Sequence, residues 1–154
     1  MSAPTPSRRR LLTAGLASIA LPVWAAKERT RIQVWKDPNC GCCKDWVVHL
    51  ERAGFRVTVQ DSGNADTRKR LGIPEALGSC HTALVAGYAI EGHVPAKDIQ
   101  RLLRDKPQAL GLAVPGMPVG SPGMDGAIYQ GRKDPYDVLL VAKGGATSIY
   151  QSYR

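Results

Sequence analysis

Three of the four cysteines occupy four consecutive positions, Cys40-Gly41-Cys42-Cys43, and the fourth, Cys80, stands directly before His81. Cys40 and Cys43 form a C-x-x-C pair with an extra thiol inside it. At the start of a helix, unpaired amides and the helix dipole stabilise thiolates, so such cysteines ionise more readily than free ones. Two chemistries follow. Cys40, at the outer edge, can attack a disulfide; the same thiolates can also ligate a metal, which requires them deprotonated. The third thiol weighs towards metal, because a dithiol exchanger needs two sulfurs and a third invites scrambling, whereas monovalent copper favours several thiolates and thioethers. Ordinary disulfides are the plainer alternative, with Cys40–Cys43 and Cys42–Cys80 as the pairs to consider.

Further soft or borderline donors recur along the chain. Gly78-Ser79-Cys80-His81-Thr82 carries no proline, so Cys80 and His81 are free to face the cluster. His93 lies in Glu91-Gly92-His93-Val94-Pro95. Pro115-Gly116-Met117 repeats as Pro122-Gly123-Met124, which displays two thioethers at matching turns without a helix to bury them. The candidate metal ligands are therefore Cys40, Cys42, Cys43, Cys80, His81, His93, Met117 and Met124. His49, seven residues after Cys42, lies about 10 Å along a helix from that thiol and is expected to be solvated.

Positioning these residues requires a scaffold. Arg31–Trp35 alternates polar and apolar side chains, as a half-buried strand does. The cysteines follow in a turn opened by Asp37-Pro38-Asn39. Lys44–Ala53 has Val47, Leu50 and Ala53 at helical spacing, and Gly54 ends it. Phe55–Gln60 is a second strand. Asn64 can cap a short helix to Leu71, closed by Gly72 and Pro74. His81–Ala86 reads as a buried strand turned by Gly87 into Tyr88–Glu91. Pro95 then opens a helix with Ile99, Leu102 and Leu103 on its apolar face. The order β-α-β-α-β-β-α, with the thiols between the first strand and helix, predicts an α/β fold of thioredoxin-like type, a mixed sheet flanked by helices. Residues 111–126 hold eight Gly or Pro in sixteen positions and read as a loop without helix or strand. Asp137–Ala142 and Thr147–Tyr153 flank Lys143-Gly144-Gly145 as a C-terminal hairpin.

The chain of 154 residues suits one domain. Residues 1–25 read as a twin-arginine-type signal peptide: Arg8-Arg9-Arg10 precedes Leu11-Leu12 and an apolar run of about a dozen residues, short of the roughly 20 that span a bilayer. The domain is then 26–154, located in the periplasm, with no membrane insertion in the mature form. Without the three leader arginines the net charge falls from +8 to about +5, scattered among acids. No basic stripe interleaves with aromatics, so nucleic acid is not an expected partner, and Arg68–Arg70 and Arg101–Arg104 read as solvated faces.

Cys40-Gly41-Cys42-Cys43 with Trp46, Gly78-Ser79-Cys80-His81-Thr82-Ala83, Glu91-Gly92-His93-Val94-Pro95-Ala96 and Val114–Met124 together resemble the CopG-type copper-resistance proteins, a domain family long labelled as of unknown function. The resemblance covers roughly residues 31–141. It implies a periplasmic thioredoxin-like protein that handles copper, with several copper ions bridged by Cys40, Cys42, Cys43 and Cys80, and with His81, His93, Met117 and Met124 as auxiliary ligands. The expected function is copper resistance by holding Cu(I) in a multinuclear cluster, with interconversion of Cu(I) and Cu(II), and copper efflux or chaperone proteins as partners. Enzymatic activity is left open. The alternatives are a thiol–disulfide oxidoreductase, or an iron–sulfur or zinc protein using the same cysteines; adjacent Cys42 and Cys43 fit poorly around one tetrahedral zinc.

Overall fold

The computed structural model describes residues 28–154. The reading of residues 1–25 as a leader lies outside them. Among the described residues, seven strands and three α-helices run β1 (Arg31–Lys36), α1 (Gly41–Arg52), β2 (Arg56–Gln60), α2 (Ala65–Arg70), β3 (His81–Val85), β4 (Tyr88–Glu91), α3 (Ala96–Asp105), β5 (Gly111–Ala113), β6 (Tyr136–Val141) and β7 (Thr147–Tyr153). They form one mixed sheet in the order β2-β1-β3-β4-β5-β6-β7. β1 lies parallel to β2 and antiparallel to β3, and β3 and β4 form an antiparallel hairpin. The mixed α/β architecture and the terminal hairpin agree with the sequence.

The core follows from the period-2 pattern of the central strands. Ile32 and Val34 of β1, Ala83 and Val85 of β3 and Ile90 of β4 are buried beneath Trp46 and Leu50 of α1 and Ile99 and Leu102 of α3. Each of the valines, leucines and isoleucines among them contributes about 1.5–3 kcal/mol on removal from water. Trp46 is fully buried and donates its indole N–H to the Val94 carbonyl at 2.9 Å, which ties α1 to the entrance of α3. The buried stripe of α1 is Cys43, Trp46 and Leu50, with Val47 and Ala53 packed against it. The stripe thus begins one turn earlier than the apolar residues alone indicate, because a cysteine leads it.

Four expectations change. Residues 111–126 are not wholly loop: Gly111–Ala113 pairs with β4 in parallel and with β6 antiparallel, joining the hairpin to the sheet. A side chain on residue 111 would collide with the Ala89 backbone, so the glycine that argues against a strand is what lets this one close. Asn64 is the N-cap residue of α2 but does not cap it through its side chain, whose amide donates instead to the Ser79 carbonyl and Thr82 Oγ1, both at 3.1 Å. His49 is half-buried rather than solvated, and its Nε2 accepts the first amide of α3, Ala96 N–H, at 3.0 Å. Arg68 is no surface charge: it pairs with the fully buried Glu91.

Candidate metal centre

The turn after β1 sets the first cysteine. Asp37 Oδ1 accepts the Asn39 amide at 2.8 Å and the Asp37 carbonyl accepts the Cys40 amide at 3.1 Å, a tight side-chain-closed turn. Cys40 is the N-cap residue of α1, and Cys42 and Cys43 lie in its first turn. Cys80 reaches them from the end of the loop before β3. The four sulfurs all lie within 4.8 Å of one another, although Cys80 is 37 residues beyond Cys43. A second group, Cys80 Sγ with one nitrogen each of His81 and His93, is equally close, so Cys80 belongs to both.

The redox state divides the cysteines. Cys40 and Cys43 share a disulfide, with Cα atoms 5.4 Å apart, while Cys42 and Cys80 are free thiols with Sγ atoms 3.7 Å apart. Cys42 Sγ also lies 3.6 Å from Cys40 Sγ. Four thiolate ligands are therefore available only after that bridge is reduced; in the bridged state the thiol donors are Cys42 and Cys80.

Hydrogen bonds fix which nitrogen each histidine offers. His81 Nε2 lies 2.9 Å from the Gly92 carbonyl, and His93 Nδ1 lies 2.8 Å from the Pro122 carbonyl. A carbonyl oxygen only accepts, so these nitrogens carry the protons. The opposite nitrogens keep their lone pairs and face the same sulfur: His81 Nδ1 at 3.3 Å and His93 Nε2 at 3.2 Å from Cys80 Sγ. A carbonyl behind each imidazole is the outer-shell arrangement that orients histidine ligands. Burial holds both rings neutral. It lowers the His81 pKa to about 3, with a smaller contribution from the neighbouring His93, and it lowers that of His93 as well. Burial pushes the Cys80 thiol up to about 12, reinforced by nearby Cys42. A cation bound here would displace the Cys80 proton.

The thioether donors are not equivalent. Met124 is 8% exposed and its Sδ accepts the Tyr129 hydroxyl at 3.2 Å, whereas Met117 is 52% exposed. The segment around Met124 lies against the first turn of α1, where a Cβ on Gly123 (φ +85°) would approach the Cys42 carbonyl to 2.5 Å and Trp46 N to 2.9 Å. Through Pro122 it serves the centre as well, by setting the tautomer of His93.

Sequence reasoning missed the residues that hold Cys80 in place. Glu91 is fully buried, and its carboxylate accepts Arg68 Nε at 2.8 Å, the Ser79 amide at 2.7 Å and the Thr82 hydroxyl at 2.5 Å. Arg68 also donates to the Ser79 carbonyl. Residues on both sides of Cys80 are thus anchored to one carboxylate. Burial raises the Glu91 pKa, opposed by these donors. Gly92, at φ +70°, lets this segment pass the Val114 carbonyl and the Ser79 side chain, which a Cβ would strike. The acid in Glu91-Gly92-His93 was visible as part of a motif; nothing local marked Arg68 as its partner.

The buried neutral histidines make one solution prediction. Below an unfolded-state pKa of about 6.5 the unfolded chain binds protons that folded His81 refuses until about pH 3. Stability of the metal-free protein therefore falls as pH drops through that window, by up to about 1.4 kcal/mol per pH unit for this residue, and the shift of His93 has the same sign. Urea midpoints measured between about pH 7 and about pH 4 should decline, and His81→Gln should flatten the decline. Parallel curves for the two proteins would contradict this assignment.

Comparison with known proteins places the same elements in context. The family described as "Protein of unknown function, DUF411" matches residues 77–124, which span Cys80, both histidines and both loop methionines. No curated protein matches. Two solved structures do: "Copper resistance protein copG- Form 2", at TM-score 0.76, and "Copper resistance protein copG- Form 1", at 0.75. Each is 46% identical in sequence and covers 82% of this chain, with 100% and 98% of its own chain matched, respectively. Among the described residues, no helix is long and apolar enough to cross a membrane.

Proposed function

Because the chain belongs to the family of the copper resistance protein copG, we propose that it binds copper in the service of copper resistance, through the centre around Cys80. The observation that carries this reading is the convergence of four sulfurs and two imidazole lone pairs from separate segments on one place. Thiolates select monovalent copper, whereas imidazole also suits the divalent ion. The reduced centre therefore holds Cu(I), in more than one ion because Cys80 serves two ligand groups. Cys40, Cys42, Cys43 and Cys80 are the sulfur ligands, and His81 and His93 complete the set. Met124 is a reserve donor whose sulfur must first release Tyr129, and Met117 is an outer one.

The strand order β2-β1-β3-β4, with α1 following β1, supports a thioredoxin-like core. The twin-arginine pattern of Ser7–Leu12 supports export to the periplasm. There the chain would receive copper from, or pass it to, efflux or chaperone proteins. Anaerobic titration of the reduced chain with Cu(I), read against a competing chelator and by elemental analysis, tests the reading. Wild type should bind more than one ion per chain and Cys42→Ser fewer. Unchanged stoichiometry and affinity in Cys42→Ser would overturn the role given to the extra thiol.

The Cys40–Cys43 bridge favours one second reading, a thiol–disulfide oxidoreductase. Insulin reduction by the metal-free chain, retained in Cys42→Ser, would support it over copper binding.

A further inference from the structure

Two side chains of α1 reach across to the segment that carries His93. Trp46 and His49 are neighbours at helical spacing, on one face of α1. The Trp46 indole donates to the Val94 carbonyl at 2.9 Å, and His49 Nε2 accepts the Ala96 amide at 3.0 Å. One donor and one acceptor thus grip residues 94–96, immediately after His93 and at the entrance of α3. Trp46 also lies against His81, with ring centroids 4.2 Å apart, so α1 seats both imidazoles that face Cys80. Neither donor group around Cys80 includes His49.

We propose that His49 is a positioning residue whose neutral ring holds His93 at the centre, and that a proton taken up by His49 releases that hold and loosens bound copper. This inference rests on the copper-binding reading above and adds an acid-sensitive control outside the ligand set. The chemistry turns on one lone pair. Because Nε2 accepts the Ala96 amide, the proton of the neutral ring sits on Nδ1. A second proton must go to Nε2, which then becomes a donor facing another donor, at the positive end of α3. The bond to Ala96 is lost, and the ring or the entrance of α3 has to move. His93 then keeps only the Pro122 carbonyl, at 2.8 Å, and the Trp46 bond to adjacent Val94 as supports on this side.

The surroundings admit the proton and tune its effect. A cleft of about 480 Å³ opens beside His49, lined among others by Lys97, Pro122, Asp125, Tyr136 and Tyr153. Burial lowers the His49 pKa; Asp125 opposes this, and Arg52 adds to it. Asp45 and Arg52, on the same helix, are both exposed. On α3, Lys97 sits 4.9 Å over the Tyr153 ring, and the buried Asp98 accepts the Tyr153 hydroxyl. Tyr136 of β6 stacks on Tyr153 of β7, and burial raises the pKa of both, so neither carries charge. Asp125, whose Oδ1 accepts the Gly123 amide at 3.1 Å, stands in the segment that carries Pro122. An imidazolium at His49 attracts that carboxylate and so loads both supports of His93.

The test titrates the full reduced chain, without oxygen, between about pH 7.5 and about pH 4.5. In the metal-free chain, the His49 ring nitrogens and the Ala96 amide, followed by NMR, should share one midpoint below about 6.5. Bound Cu(I) should move that midpoint to lower pH, because coupling between two sites is reciprocal. Cu(I) affinity, read against a cuprous-specific chelator, should fall on acidification in wild type and in His49→Gln, since the sulfur ligands protonate in both. Wild type should lose about tenfold more, the lower end of an outer-shell effect, because glutamine offers an acceptor that does not titrate. His49→Leu, which offers no acceptor, should bind about tenfold more weakly than wild type even at about pH 7.5. Should His49→Leu fail to fold, the comparison of wild type with His49→Gln decides alone. Superimposable pH profiles for those two, or a His49 midpoint that Cu(I) leaves unmoved, overturn the proposal. Absence of Cu(I) binding by wild type at neutral pH sinks the copper-binding reading instead, and separate midpoints for the ring and the Ala96 amide still overturn the clamp.

Discussion

Cys80→Ser is expected to weaken copper binding more than any other single substitution at the centre. Cys80 is the one residue common to the four-sulfur group and to the sulfur–imidazole group, and its Sγ is the atom that Cys42, His81 and His93 all approach within 3.7 Å. Losing an outer-shell partner costs about 10–100-fold in metal affinity, so loss of a shared inner ligand should exceed about 100-fold and lower the stoichiometry. Serine has nearly the same shape, so fold and metal-free stability should survive. Met117→Ala, at an exposed position, should bind nearly as wild type does. Competition titration with Cu(I) and a chelator measures both. Comparable losses in the two variants would show that the centre is not organised around Cys80.

Arg68→Met is expected to be the most destabilising change outside the apolar core. It leaves Glu91, fully buried, without its only cationic partner among the described residues. Breaking a buried pair by removing one member costs about 3–5 kcal/mol, which for a domain of this size lowers the melting temperature by roughly 10 °C. The sign with pH follows from burial, which raises the folded-state pKa of Glu91. A carboxyl that holds its proton more tightly when folded loses stability as pH rises through its titration, and removing Arg68 raises that pKa further. The penalty should therefore be smaller near about pH 5 than near about pH 8. Glu91→Gln in the same background should recover much of the loss, since it removes the uncompensated charge. Thermal melts of the three proteins at both pH values measure this; a uniform penalty without recovery would mean that Arg68 acts through packing alone. The same variant bears on the metal centre, because Arg68 and Glu91 hold Ser79 from both its carbonyl and its amide, and Ser79 carries Cys80.

Much of this protein is written in its local sequence. Alternation in β1, helical spacing in α1 and α3, and glycines at the turns set the elements through periods of two and 3.6 that need no distant partner. The crowding of Cys40, Cys42 and Cys43 before a helix, and the pairing of Cys80 with His81, marked out these residues as candidate metal ligands from residue type and spacing alone, and the structure brings them together. The tertiary structure decided what spacing does not encode. Cys80 meets the cluster because β1 and β3 are neighbours in the sheet, with Lys36 opposite His81. Each histidine's proton was settled by a carbonyl from another segment, Gly92 or Pro122. Tyr129 made Met124 unlike Met117, and Glu91 turned Arg68 from a surface charge into an anchor. The division of the sulfurs into a bridged pair and two thiols is likewise a matter of directions in space. A sequence states which donors exist; closing the sheet determines which lone pairs share a point.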